Sequence, residues 1–301
     1  MSVCILISTC EKYRRLAEFT GRMIVRYWAD HPPLFFSGCP EGPAEHWLPL
    51  KNHPADWMGI TRNAVEELAR RGHRQCYLIL DDHPPLFHCN EFHLNATLPE
   101  LMKKLGAVYI GLNGWGQGKA PNGVVLGREF FWLENVSSGF LWKFQLHPAL
   151  WNLDALGEIL DVLMRELPPE ARSPWAFERR AGNENAKLRQ DLKRRAYRVC
   201  GERMSRSRLR TYGFKLERLG FRTFRFAVGK LFGQDAWSRV DERYGFVLRY
   251  YDGPYPLLWS GATRKGQINP EFLRYLKTHF KKRYAEELSK VLDTPTSVHR
   301  S

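Results

Sequence analysis

No apolar run in this sequence approaches the roughly 18 residues a membrane-spanning helix requires, so no transmembrane span is expected. The amino-terminal end carries no basic leader: it enters Val3-Cys4-Ile5-Leu6-Ile7 directly, a run too short for a secretory signal, and a cytoplasmic location follows as the expectation. The six cysteines (Cys4, Cys10, Cys39, Cys76, Cys89 and Cys200) form no CxxC pair and sit in or beside apolar runs, which points to buried thiols rather than a disulfide framework or a zinc site. The Gly-rich stretch 113–122 has neither GxGxxG nor P-loop spacing. Acidic residues are scarce in one segment. Between Arg179 and Lys230 there are 17 Lys/Arg against 4 Asp/Glu, so 17 less 4, or +13, of the chain's +14 lies there. The basic character belongs to one module, and its partner is an anionic surface.

What is present describes a filled core. The chain has 301 residues, 44% hydrophobic and 13% aromatic, enough for one large α/β domain or for one domain plus an appendage. Val3–Ile7 reads as a buried first strand. A helix from about Lys12 to Trp28 carries Leu16, Phe19, Met23, Ile24 and Tyr27 at helical spacing, and Leu34-Phe35-Phe36 is a second strand. Asn63–Arg71 is the second half of a helix closed by Gly72. Tyr77–Asp82 is a third strand, Leu98–Leu105 a short helix and Ala107–Leu112 a fourth strand. The alternation of strand and helix predicts a mostly parallel sheet with helices on both faces. Aromatic strands at 130–133 and 140–144 follow, and the stripe Leu150, Leu153, Leu156, Ile159, Leu160 and Leu163 predicts a helix over 148–163.

The stretch Tyr77-Leu78-Ile79-Leu80-Asp81-Asp82-His83-Pro84-Pro85 organises the rest. The prolines forbid continuation, so both aspartates fall at the strand's carboxyl end, the edge where open α/β sheets bind ligands. Adjacent carboxylates repel unless a cation lies between them, and a hard divalent ion with phosphate oxygens is one solution. An ordinary surface turn is the other reading. His83 is either a further ligand or a loop residue, and on a regular strand the two aspartates point to opposite faces. After the first strand, Ser8 and Thr9 either touch a nucleotide or cap the next helix. Glu178, flanked by Trp175 and Phe177 at a Ser-Pro turn, is a desolvated general base or an acid favouring a helix amino terminus.

Residues 185–232 read as amphipathic helices, with Leu188, Leu192, Ala196 and Val199 sharing a face, followed by aromatics interleaved with arginine. With no spanning segment, this composition suits a helix lying on anionic lipid. It also suits a solvated face, or phosphate backbones and stacked bases, although no helix-turn-helix, zinc-finger or RNP signature accompanies it. From Tyr244 to Trp259 a hairpin with an Asp252-Gly253-Pro254 turn is expected, then the loop Arg264-Lys265-Gly266-Gln267, a last helix over 270–292 and a frayed tail.

The Cys4–Tyr13 opening, the Leu-Asp-Asp strand end, Phe144-Gln145-Leu146-His147-Pro148-Ala149-Leu150-Trp151 and Ser-Pro-Trp-Ala-Phe-Glu occur in this order. Together they resemble bacterial glycosyltransferases of the GT-A type that build surface polysaccharide or lipopolysaccharide. The resemblance covers residues 3–178. It implies a GT-A-like, Rossmann-like α/β fold with a basic helical insertion: a nucleotide-sugar-binding and catalytic core at 1–180, a basic module at 181–240, a returning hairpin and helix at 241–293 and a tail at 294–301. It implies a metal-assisted glycosyltransferase moving sugar from a nucleotide-sugar donor to a saccharide or lipid-linked acceptor, peripheral on the inner face of the cytoplasmic membrane. Ser8, Thr9, Tyr13, Asp81, Asp82 and Lys265 would hold the donor, Asp81 and Asp82 through Mn²⁺ or Mg²⁺. Glu178 would be the catalytic base of an inverting displacement, and Trp151 and Trp175 would carry the acceptor. The Asp-Asp-His run departs from the Asp-x-Asp pattern. Two other functions stay open on the residues: a nucleic-acid-binding protein using the basic module, and a catalytically inactive scaffold of the same fold.

Overall fold

The computed structural model describes residues 2–39, 46–114, 124–126, 131–136, 144–182, 188, 191–192, 195–201, 230–231, 250–251, 253–258, 261–264 and 267–280. The apolar run at the amino terminus forms β1 (Ser2–Ser8), and the runs after it form β2 (Leu34–Ser37) and β3 (His73–Leu80), all parallel. Strands buried on both faces need such continuous runs. Cys4 and Leu6 of β1, with Cys76 and Leu78 of β3, enter one core layer, while Ile5, Ile7, Tyr77 and Ile79 enter the other. Helix α1 (Arg14–Tyr27) covers the second layer through Ala17 and Ile24. Helix α2 (Trp57–Arg70) covers the first through Met58, Val65 and Leu68. Asp56 caps α2 by accepting from the Gly59 N–H at 2.9 Å, a signal at the true helix start, six residues before the stretch from which the periodicity is legible.

The sheet continues through α3 (Leu98–Lys104), β4 (Tyr109–Gly114), β5 (Val124–Leu126), β6 (Phe131–Asn135) and β7 (Ala149–Asn152). It closes with α4 (Leu153–Glu166), α5 (Pro174–Arg180) and β8 (Ala196–Gly201). Among the described residues its eight strands lie in the order β2-β1-β3-β7-β4-β8-β6-β5, and only β6 and β7 of these oppose the common direction. The fold is thus the expected α/β architecture, a mixed and mostly parallel sheet with helices on both faces, compatible with a Rossmann-like arrangement.

Two expectations are corrected by β7 and β8. Residues 149–152 are not the first turn of a helix: Leu150 and Trp151 pair with β3 on one side and β4 on the other. The helix starts only at Leu153, where Asn152 accepts from the Ala155 N–H at 2.9 Å. Trp151 is accordingly fully buried among Tyr109, Phe144 and Phe177, with ring centroids at 4.7, 5.5 and 6.1 Å. It is a core residue and no platform for an acceptor. Trp151→Ala is expected to lower unfolding free energy by about 3–5 kcal/mol, read from the urea midpoint. Trp151→Phe keeps an aromatic ring and removes an indole N–H that has no hydrogen-bond partner among the described residues, so it should cost less.

The helical reading of Ala196 and Val199 fails for a similar reason. Their strand β8 lies parallel to β4 and antiparallel to β6, inside the sheet. The boundary drawn at 180/181 therefore does not separate a module from the core at these residues. Most of 185–232 and the aromatic stretch 140–143 lie outside the described residues.

The carboxyl-terminal part returns to the core. The expected hairpin is β9 (Tyr250–Tyr251) paired with β10 (Leu257–Leu258), and a second hairpin joins β11 (Thr263–Arg264) to β12 (Gln267–Ile268). The helix α6 (Pro270–His279) packs Phe272, Tyr275 and Leu276 on Leu16, Phe19 and Met23 of α1. No helix among the described residues is long and apolar enough to cross a membrane.

Candidate functional site

Chain order and strand order part company at β1. The path steps outward from β1 to β2 and then returns to place β3 on β1's other side. A crevice at the carboxyl ends of two such strands is the ligand position of open α/β sheets. Ser8 ends β1 there with Thr9 just beyond it, and Asp81 and Asp82 follow directly on the end of β3. The Asp81 N–H donates to Ser8 O at 3.1 Å, so the two strand ends are clasped by their backbones.

Side chains complete the clasp. Thr9 Oγ1 donates to Asp81 Oδ2 at 2.6 Å, and Thr20 on α1 donates to the Asp81 carbonyl. Thr9 thus orients Asp81, and neither Ser8 nor Thr9 caps the following helix, whose amino end has no side-chain cap among the described residues. Ser8 departs from expectation. It shares a strand face with Cys4 and Leu6, points at α2 and receives the Trp57 indole N–H at 2.8 Å. At 1% exposure its hydroxyl is sealed from a donor. Tyr13 is half-buried, with the Lys12 ammonium 5.3 Å from its ring.

The two aspartates lie in the turn after β3 rather than within it, so the alternation of a strand does not govern them. Their electrostatic states differ. Burial pushes the Asp81 carboxyl well above the usual carboxylate range, and the neighbouring charge of Asp82 adds to the effect. Burial acts on Asp82 too, but it is outweighed: His83 Nδ1 stands 3.0 Å from Asp82 Oδ1, Thr263 Oγ1 donates to Oδ2 at 3.1 Å, and His147 adds a favourable field. The Asp82 carboxyl is therefore held below its ordinary value.

Glu178 comes to the same place. Ser173 caps α5 by accepting from the Ala176 N–H, Pro174 fills the first turn, and Glu178 reaches back to accept the Leu146 N–H at 2.7 Å. That bond is not a helix-end interaction. Burial raises the Glu178 carboxyl above its ordinary value, with the Leu146 N–H and the field of His83 opposing. The His83 and His147 rings meet edge to face 5.1 Å apart; His83 pairs with Asp82 and its field also reaches Glu178, while the field of His147 reaches Asp82. The structure thus brings together Thr9, Asp81, Asp82, His83, His147 and Glu178. Trp175 lies 71% exposed on α5, one turn before Glu178. Lys265 lies outside the described residues.

Sequence reading assigns no role to Thr20, Trp57, His147 or Thr263. His147 has a signal, being part of the quoted run before Pro148. Thr263 has only the small residues Gly261-Ala262 before it. Among the described residues no group of three or more His, Cys, Asp or Glu side chains is arranged to hold a metal ion. What the site offers is two adjacent carboxylates, the protein share that Mg²⁺ takes when phosphates and water supply the remaining oxygens. A cavity of about 450 Å³ lies away from this chemistry, at the opposite edge of the sheet, lined by Gln75, Val108, Asn152 and Arg195 among others.

No protein-family model and no curated protein matches the chain. Two of the solved structures that match align with it at 12% identity over 67% of its length. One is the crystal structure of A197 from STIV, with 83% of that chain covered and a TM-score of 0.30. The other is that of mannose-1-phosphate geranyltransferase from Thermus thermophilus, with 74% covered and a TM-score of 0.27. Likenesses at these scores carry no functional weight.

Proposed function

We propose that this chain is a metal-assisted glycosyltransferase of GT-A-like type, moving a sugar from a nucleotide-sugar donor to an acceptor hydroxyl. The observation that carries the reading is the meeting, at the carboxyl edge where chain and strand order diverge, of an Asp81–Asp82 pair and a desolvated Glu178. Displacement of a nucleoside diphosphate needs negative charge neutralised at the leaving group and a base at the nucleophile. Asp81 and Asp82 are the residues that would hold Mn²⁺ or Mg²⁺, and such an ion supplies a Lewis acid for the diphosphate as it departs. Thr9 fixes Asp81 by its hydrogen bond, and Thr263 fixes Asp82.

Glu178 takes the proton from the acceptor hydroxyl as the new glycosidic bond forms and the bond from the anomeric carbon to phosphate breaks. A carboxyl with a raised pKa is a stronger base than an exposed one, which suits a hydroxyl that loses its proton only in the transition state. The exposed indole of Trp175, a turn away on α5, supplies a flat apolar face for a sugar ring of the acceptor.

The test is a thermal-shift screen of the purified protein against UDP-, GDP-, CMP- and dTDP-sugars with and without Mn²⁺. One donor at about a hundred times its Kd should stabilise the protein by about 2.7 kcal/mol. A shift that requires metal supports the assignment, and no shift with any donor overturns it.

A lipid-linked acceptor would place the enzyme at the inner face of the cytoplasmic membrane, with the basic residues of 185–232 outside β8 as the contact. Each Lys or Arg near an anionic surface contributes about 1 kcal/mol. The protein is expected to sediment with vesicles containing anionic lipid, to ignore purely zwitterionic vesicles and to be released by salt.

A further inference from the structure

The carboxylate pair is not finished by the strands that carry it. Gly261 adopts φ +69°, and a Cβ built there would lie 2.8 Å from Asp82 Oδ2 and 3.2 Å from its carbonyl oxygen, so the backbone approaches as only glycine allows. The next residue, Ala262, donates its N–H to the Asp82 carbonyl at 2.6 Å. Thr263 then donates its hydroxyl to Asp82 Oδ2. Three consecutive residues from the far end of the chain thus close on one aspartate.

Their placement has its own support. Asn269 is 3% exposed. Its side-chain amide donates to Gly261 O at 2.9 Å, its backbone N–H donates to Ala262 O at 2.8 Å, and its Oδ1 accepts from the Glu271 N–H at the start of α6. The β11–β12 hairpin is pinned between the cap of α6 and Asp82.

We infer that the Gly261–Asn269 hairpin is a positioning element for the cation site, with Thr263 as the positioning residue that sets the orientation of the Asp82 carboxylate. The inference rests on reading Asp81 and Asp82 as the cation-holding pair. The Thr263 hydroxyl holds Oδ2 while His83 Nδ1 stands 3.0 Å from Oδ1, so the carboxylate is oriented from both of its oxygens. Partners that orient a metal-binding carboxylate typically contribute roughly tenfold to a hundredfold in metal affinity.

The experiment measures free Mn²⁺ by electron paramagnetic resonance while Mn²⁺ is titrated into the protein with UDP, GDP, CDP or dTDP. Thr263→Val keeps the shape of the side chain and removes the donor; it is expected to weaken Mn²⁺ binding about tenfold, and Thr263→Ser to restore it. Gly261→Ala, which sets a methyl group against Asp82, should produce a loss by an independent route. Circular dichroism melts of each variant identify any that has failed to fold. Wild-type affinity in folded Thr263→Val overturns the inference while leaving the proposed function standing. Failure of the wild-type protein to bind Mn²⁺ with any of the four nucleotides overturns both.

Discussion

Glu178→Gln should lower sugar transfer by about 10²–10⁴-fold, the range associated with loss of a positioned general base, while donor binding stays at the wild-type level. The amide retains an oxygen for the Leu146 N–H, so the loop at 144–148 keeps its anchor. The same variant should be more heat-stable at neutral pH. Burial raises the folded-state pKa of Glu178 above that of the unfolded chain, about 4.3 for a free glutamate. Between those two values the folded protein holds a proton that the unfolded chain has released, so stability falls as pH rises through the interval. Above it the full penalty of a buried charge is present, and glutamine carries none. The difference in Tm between variant and wild type should therefore be positive near pH 7 and vanish below about pH 4. Activity of the wild type should rise with pH through the raised value, a limb absent from any residual activity of the variant.

Asp81→Asn should have the second large effect, abolishing metal-dependent donor binding with a loss of at least about 10²-fold. The amide oxygen still accepts from Thr9 Oγ1, so the clasp between β1 and β3 survives. Removing one of two adjacent carboxylates, the one that burial and Asp82 hold above its usual range, should raise Tm in the absence of ligand. Loss of binding with a gain in stability is the signature of a group retained for function. Calorimetric titration of Mn²⁺ with the nucleoside diphosphate, beside a ligand-free melt, reads both quantities. A fall in Tm with binding unchanged would make Asp81 a structural residue and sink the cation assignment.

The strands of the sheet's first half are legible because burial on both faces leaves an uninterrupted apolar run, as at Ile5–Ile7 and Tyr77–Leu80. The aspartates are legible because proline fixes where β3 must stop. Strand β7 is hidden, since Leu150 continues the spacing of the α4 stripe, and only Asn152 marks the boundary between strand and helix. Trp151 is misplaced with it: the acceptor role comes only with the family resemblance, and antiparallel pairing to β3 and β4 buries the indole. Ser8 is legible as a strand-end hydroxyl, but which face it points to depends on strand parity, and parity sets it against Trp57. Glu178's aromatic neighbours leave it either a desolvated base or a helix amino-terminal acid, and burial does raise its pKa. Its partner Leu146 and the nearby His147 come from a loop that no local pattern ties to α5. Thr263 is out of reach of any motif, being joined to Asp82 only by tertiary packing.

The closure of the hairpin on Asp82 also sets an order of events during synthesis. Thr9 and Asp81 are separated by 72 positions, but Asp82 and Thr263 by 181. At translation rates of about 5–20 residues per second, roughly ten seconds or more pass between the appearance of the aspartate and that of the hydroxyl it receives. Contacts of such long range carry a loop-closure entropy that local strands and helices do not. The sheet can therefore assemble around β1, β2 and β3 while the acidic turn still faces water with one side open. A nascent chain is a folded scaffold before it is a finished site, and the last hairpin to arrive decides when one becomes the other.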